Sequence, residues 1–303
     1  MAKKPFQGTG TALITPFKPD GSIDENALRR MVDFQIEGKV DMLLPCGTTG
    51  EGATLDTHET DRVVKIVVEQ SEGRVPVIVG AGSNSTAKAV QGTKRAKKLG
   101  ADGVLSVGPY YNKPTQQGYY EHFKAIAESE DIPVVVYNVP GRTAGNIEAH
   151  TMLRLAEIRN IVAVKEASGN LGQIMEIIRD APKDFRVLAG DDALALAIIA
   201  MGGHGVVSVV SNEAPGMTSA MINAALEGNL AKARELHYKL LPLMNANFIE
   251  SNPIPVKAAL AMMGLIEENY RLPMVRMTAG NREKLAKIVE QTGLLQTVRA
   301  NLT

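Results

Sequence analysis

Lys165 stands in Ile161-Val162-Ala163-Val164-Lys165-Glu166-Ala167-Ser168. In an extended chain, alternation puts Ile161 and Ala163 on its own side and Val162 and Val164 on the other. A strand that is apolar on both faces is a buried parallel strand. An ammonium is costly to hold there, which favours the neutral amine. A neutral amine can attack a ketone carbon and form a Schiff base. A strand-end lysine can equally reach out to water or pair with a carboxylate, so this segment alone leaves both readings open. Tyr137 follows Val134-Val135-Val136, 28 residues before Lys165. A phenol beside the amine could move protons on and off a carbinolamine oxygen, or it could be a core ring with a satisfied hydroxyl.

Other residues of the same kind lie along the chain. Thr48 and Thr49 sit in Gly47-Thr48-Thr49-Gly50-Glu51, where two hydroxyls and the N–H groups of a turn can hold a small carboxylate. They could also cap the next helix. Arg142, in Tyr137-Asn138-Val139-Pro140-Gly141-Arg142-Thr143, offers a bidentate site for a second carboxylate, or is a solvated loop residue. Tyr110 and Tyr111, in Gly108-Pro109-Tyr110-Tyr111-Asn112-Lys113-Pro114, are either site residues or surface aromatics.

The elements that must position these side chains repeat regularly. Eight short apolar, β-branched runs end at Ile14, Pro45, Val79, Val107, Tyr137, Lys165, Ala189 and Ser208, each followed closely by Gly, Pro, Ser or Asn. Between them lie helix-like stretches such as 25–37, 57–69, 86–99, 116–127 and 171–179. A strand and a helix every ~30 residues is the βαβ rhythm of a parallel sheet. Eight such units predict a (β/α)8 barrel, whose chemistry sits at the carboxyl ends of the strands. Every residue named above falls at such an end. An open doubly wound sheet would be expected to carry a phosphate or dinucleotide fingerprint, and the chain has neither G-x-G-x-x-G nor G-x-x-x-x-G-K-[ST]. Beyond Asn212 the pattern becomes helical at 217–226, 230–249, 255–263 and 280–291. The expected division is a barrel over 1–228 and an all-helical piece over 229–303.

Composition narrows the classes of function. The chain has 303 residues, with 33 basic and 33 acidic side chains and a formal net charge of zero. This leaves no electrostatic footprint for nucleic acid or an anionic membrane. The longest strongly apolar run, 193–201, is too short to cross a bilayer. Met1–Gly8 carries two lysines but no apolar stretch of a signal peptide. A single cysteine, Cys46, reads as buried core, and a reducing cytoplasm is the expected location. The five histidines show no metal-ligand spacing. Asp191-Asp192 could ligate a divalent cation or serve as a turn and helix start. No metal and no cofactor are expected.

Taken in order, Gly47–Glu51, Pro109–Pro114, Tyr137–Thr143, Lys165–Asn170, Ala189–Asp192 and Gly202–Val209 resemble the dihydrodipicolinate synthase family, from Gly8 to about Ala279. The resemblance implies a lyase, a class I aldolase that condenses pyruvate with aspartate 4-semialdehyde in lysine and diaminopimelate biosynthesis. It implies that Lys165 is the Schiff-base lysine and Tyr137 the general acid/base, linked to Thr48 and Tyr111 in a proton relay. Thr49 would hold the pyruvate carboxylate, Gly190 and Val207 would line the pocket, and Arg142 would receive the semialdehyde carboxylate. Tyr111 would reach in from a dimer partner, giving a homodimer or a homotetramer built as a dimer of dimers. The nearest competitor is N-acetylneuraminate lyase, or another pyruvate-dependent aldolase on keto-sugar acids. Arg142 favours the synthase, because the sialic acid lyases usually lack an arginine there. A protein that only binds a keto acid is the remaining alternative.

The resemblance also bears on regulation. Asn84, Ala53 and Tyr110 match the site at which lysine-inhibited members bind the feedback amino acid. Gly52, Thr57 and Thr60 replace its serine and histidines, and Lys88 stands where a glutamate would meet the ligand's amine. Like charges there disfavour lysine, so weak or absent inhibition is expected.

Overall fold

The computed structural model describes residues 6–295. The stretch 1–5, part of the segment read for a signal peptide, and residues 296–303 lie outside the described residues. Within them, eight strands alternate with helices: β1 (Gly8–Ala12), α1 (Glu25–Glu37), β2 (Met42–Leu44), α2 (Thr57–Ser71), β3 (Ile78–Gly80), α3 (Thr86–Lys98), β4 (Gly103–Val107), α4 (Gln116–Ser129), β5 (Val134–Asn138), α5 (Pro140–Thr143), α6 (Ala149–Ala156), β6 (Ile161–Glu166), α7 (Leu171–Asp180), β7 (Arg186–Ala189), α8 (Ala195–Ala200) and β8 (Gly205–Ser208). Four more helices follow: α9 (Pro215–Leu226), α10 (Leu230–Ala246), α11 (Ile254–Met262) and α12 (Ala279–Thr292).

The strands are parallel and ordered β2-β1-β8-β7-β6-β5-β4-β3. The ring closes between β2 and β3 through a parallel bridge of Leu43 with Val77, where Leu43 N donates to Pro76 O at 3.0 Å. The expected barrel and helical C-terminal piece are therefore both present. Period-2 alternation divides the core into two layers. Met42, Leu44, Ile78, Leu105, Val135, Ala163, Leu188 and Val207 fill the barrel interior. Leu43, Val79, Val104, Val134, Val136, Val164, Val187 and Val206 face the helices.

The helices form where the sequence supplies caps and an apolar stripe. On α1, Asp24 accepts from Ala27 N at 3.0 Å, and Ala27, Leu28, Met31, Val32 and Gln35 make one buried face. Asp56 and Glu59 form a reciprocal capping box at the start of α2. Sequence reasoning places α1, and most other helix ends to within two residues, but it misses α6 and α8. The second of these lies in the uniformly apolar 193–201 run, which has no helical period to read. It also extends the tenth helix to 249, whereas α10 ends at Ala246.

α9 packs on β1, β8 and α1 and completes the ring of helices, while α10 lies along both α9 and α12. No helix among the described residues is long and apolar enough to cross a membrane.

Candidate active site

The pairing of β5 with β6 brings Tyr137 and Lys165 level as direct neighbours. It does so through an irregularity. Val134 pairs with Ile161, yet Val135 pairs with Ala163, so Val162 is an extra residue in β6. One extra residue reverses which face the following side chains occupy. Strict alternation gives Ile161 the face of Lys165, and the structure corrects this: Ile161 packs in the outer layer, while Val162 packs against the inner one. Without the bulge Tyr137 would be level with Val164, and Lys165 would sit on the opposite face.

Lys165 is 6% exposed and Tyr137 7% exposed. The Lys165 Nζ lies 4.3 Å from the centroid of the Tyr137 ring, within the range of a favourable contact with its π face. No carboxylate among the described residues forms an ion pair with this amine.

Behind the pair, on the helix side of the strands, lies a buried polar layer. Asn138 Nδ2 donates to both Glu166 carboxylate oxygens at 3.2 Å. Ser168 N donates to Glu166 Oε1 at 2.8 Å, and Ile147 N donates to Asn138 Oδ1 at 3.0 Å. Burial pushes the Glu166 carboxyl up, opposed by its hydrogen bonds from Ser168, Asn138 and Gln173. This layer fastens β5 to β6 at the level of Lys165 and Tyr137.

The next two strands complete the wall. Gly190 N donates to Glu166 O at 2.8 Å. A Cβ at Gly190 would stand 2.6 Å from that of Ala167, so only glycine lets the end of β7 approach β6 this closely. Val207 faces inward at 1% exposure. Asp191 accepts from Ala193 N at 2.9 Å, and Asp192 accepts from Val209 N and Val210 N at 2.9 and 3.0 Å. Both acids thus serve as backbone caps.

The loop after β2 is held rigidly. Thr15 Oγ1 donates to Gly50 O at 2.7 Å, and a Cβ at Gly52 would lie 2.2 Å from Cys46 O. Burial pushes the Cys46 thiol up to about 12, as befits a core residue. Thr48 is exposed at the mouth and Thr49 is buried. Thr49 Oγ1 accepts from Asn252 Nδ2 at 2.9 Å, and Glu51 is paired with Lys257 at 2.5 Å.

The remaining candidates lie outside this wall. Arg142 is exposed on α5, and its guanidinium has no protein partner among the described residues. Tyr111 is 90% exposed and takes a positive φ of 74°, with Lys113 at 43°. Among the described residues no hydrogen bond joins Thr48, Tyr111 and Tyr137, so a single chain leaves the expected relay unassembled. In the expected regulatory set, Asn84 Nδ2 donates to Tyr110 O at 3.2 Å. Ala53 and Lys88 are exposed on the turn after β2 and on α3.

Sequence reasoning gave no role to Glu166, Asn138, Asn252 or Lys257. A signal existed for all but Asn252. Asn138 and Glu166 each follow a candidate reactive residue on the opposite face, and Lys257 interrupts an apolar segment much as Lys165 does.

A (β/α)8 barrel followed by a helical piece, with a buried lysine facing a tyrosine at adjacent strand ends, is the architecture of a lyase of the class I aldolase type. Residues 5–292 match the model of the Dihydrodipicolinate synthetase family, and the chain belongs to that family. It is 59% identical over 292 residues to the 4-hydroxy-tetrahydrodipicolinate synthase of Koribacter versatilis, covering 96% of this chain and 97% of that one. The crystal structure of dihydrodipicolinate synthase from Aquifex aeolicus superposes with a TM-score of 0.93 at 47% identity, covering 95% of this chain and 99% of the other. The chloride-inhibited synthase from Acinetobacter baumannii, solved in complex with pyruvate, superposes at 0.94 with 41% identity, over 95% and 99% of the two chains.

Proposed function

We propose that this chain condenses pyruvate with aspartate 4-semialdehyde to give 4-hydroxy-tetrahydrodipicolinate, through a Schiff base on Lys165. The Lys165 amine attacks the ketone carbon of pyruvate, the carbinolamine loses water, and loss of a methyl proton gives an enamine that attacks the aldehyde carbon. The amino group of the second substrate then attacks the imine carbon, closing the ring and releasing the Lys165 amine. Tyr137 is the proton carrier for these steps. Thr49 holds the pyruvate carboxylate against the wall of Gly190 and Val207, and Arg142 takes the carboxylate of the second substrate. The observation that carries the reading is the placement of a buried, carboxylate-free amine against a tyrosine ring at the strand ends. The synthase names of near-full-length relatives support it, and so does the pyruvate complex of the Acinetobacter protein. Steady turnover of pyruvate with aspartate semialdehyde, and no cleavage of N-acetylneuraminate, is the expected outcome. The reverse result would assign the chain to the N-acetylneuraminate lyases.

Completion of the relay by Tyr111 of a second copy accounts for an exposed, left-handed tyrosine beside the mouth, and we assign the chain to a homodimer or a dimer of dimers. Exchange between equal amounts of Lys165→Ala and Tyr111→Phe chains should rebuild one of the two sites in each mixed dimer, about a quarter of all sites. Activity no greater than the sum of the two variants would exclude a shared site. The division into 1–228 and 229–303, and a cytoplasmic location, belong to the same reading. With Lys88 facing the ligand's amine, lysine should inhibit weakly or not at all. Half-maximal inhibition at sub-millimolar lysine would contradict this.

A further inference from the structure

The pyruvate-carboxylate loop is held from outside the barrel, by a segment some 200 residues away in sequence. Asn252, between α10 and α11, donates through Nδ2 to Thr49 Oγ1 at 2.9 Å, across a separation of 203 residues. Two residues further along the loop, Lys257 Nζ of α11 donates to Glu51 Oε1 at 2.5 Å. The two ends of this contact are dry: Asn252 is 4% exposed, Thr49 2%, Glu51 4% and Lys257 0%. The loop can therefore neither exchange these partners for water at low cost nor move independently of the C-terminal helices.

A threonine hydroxyl has one proton and two lone pairs. By donating to Thr49, Asn252 occupies a lone pair and leaves the proton for another acceptor. Were the amide oxygen of Asn252 turned toward Thr49, the hydroxyl would spend its proton on the amide and meet a carboxylate with its lone pairs. We infer that Asn252 is a positioning residue that sets the direction of the Thr49 hydroxyl, so that it donates to the carboxylate of pyruvate. This rests on the function proposed above. It gives the helical C-terminal piece a share in substrate affinity without contact with substrate.

The test uses the full-length chain with Asn252→Ala, Asn252→Asp, Thr49→Val and the Thr49→Val/Asn252→Ala pair. KM for each substrate, kcat and Tm are measured. A hydrogen bond to a charged group is worth ~1.5–3 kcal/mol, so KM for pyruvate should rise about tenfold or more in Asn252→Ala. KM for aspartate semialdehyde should stay within about twofold. With the hydroxyl already removed there is nothing left to orient, so adding Asn252→Ala to Thr49→Val should change the pyruvate KM by less than about twofold. Asn252→Asp has the shape of asparagine but only accepts, and it should raise the pyruvate KM at least as far. That variant also carries the test if Asn252→Ala does not fold.

An unchanged pyruvate KM in the variants, a full further effect in the Thr49→Val background, or a wild-type KM in Asn252→Asp would overturn the inference. A wild-type chain that forms no borohydride-trapped pyruvate adduct on Lys165 would instead defeat the functional reading beneath it. Trapping in the wild type with unaffected variants would defeat this inference alone.

Discussion

Two lysines among the described residues are buried in apolar segments, and they have opposite surroundings. Lys257, in Ile254-Pro255-Val256-Lys257-Ala258-Ala259, is fully buried and forms an ion pair with Glu51, with the rings of Phe17 and Tyr270 at 4.3 and 5.3 Å. Burial pushes its pKa down against the pull of Glu51. Lys165 has an aromatic ring beside it and no carboxylate. A buried charge needs a partner to be tolerated. A lysine given one is a fixed part of the architecture, whereas a lysine denied one is free to react. The first fastens the C-terminal helices to the loop after β2, and the second waits at the mouth of the barrel.

Substitution should separate the two. Lys165→Met should lower turnover by ~10⁴-fold or more, as expected on losing a covalent nucleophile. Its Tm should stay within about 2 °C of the wild type or rise, since an unpaired amine is exchanged for an apolar side chain of similar size. Lys257→Met should do the reverse. It leaves Glu51 buried without its partner, which costs ~3–5 kcal/mol and should lower the midpoint of thermal unfolding by roughly 10 °C. Residual protein should still trap pyruvate. Equal stability losses in the two variants would erase the distinction. Smaller again is Arg142→Ala, which removes an exposed guanidinium from the second-substrate side. KM for aspartate semialdehyde should rise roughly 10- to 100-fold, as for the loss of a charge-assisted bond, with pyruvate trapping intact. Collapse of trapping instead would show that Arg142 acts on the first substrate.

The same contrast explains what could be read in the sequence. Lys165 and Tyr137 are legible because the strand beat is local: apolar runs, glycine and proline stops, and a spacing near 30 residues. The bulge at Val162 is not legible, because an extra residue in an apolar strand changes neither composition nor length in any visible way. Yet that residue turns Lys165 inward. Asn252 and Lys257 are hidden for another reason. Their partners, Thr49 and Glu51, lie more than 200 residues away, and no local pattern reports a contact of that range. Lys257 did leave a trace, a charge inside an apolar helix, the same anomaly that makes Lys165 conspicuous. Tyr111 is legible as a motif residue, but at 90% exposure it has no hydrogen bond to Tyr137 or Thr48 among the described residues, so its proposed role is not legible in a single chain.

The most direct test of this account is reduction with borohydride in the presence of pyruvate, followed by mass analysis of the peptides. A reduced pyruvyl adduct is expected on the peptide containing Lys165 and none on the peptide containing Lys257. No adduct, or an adduct on Lys257 with Lys165 unmodified, would contradict it.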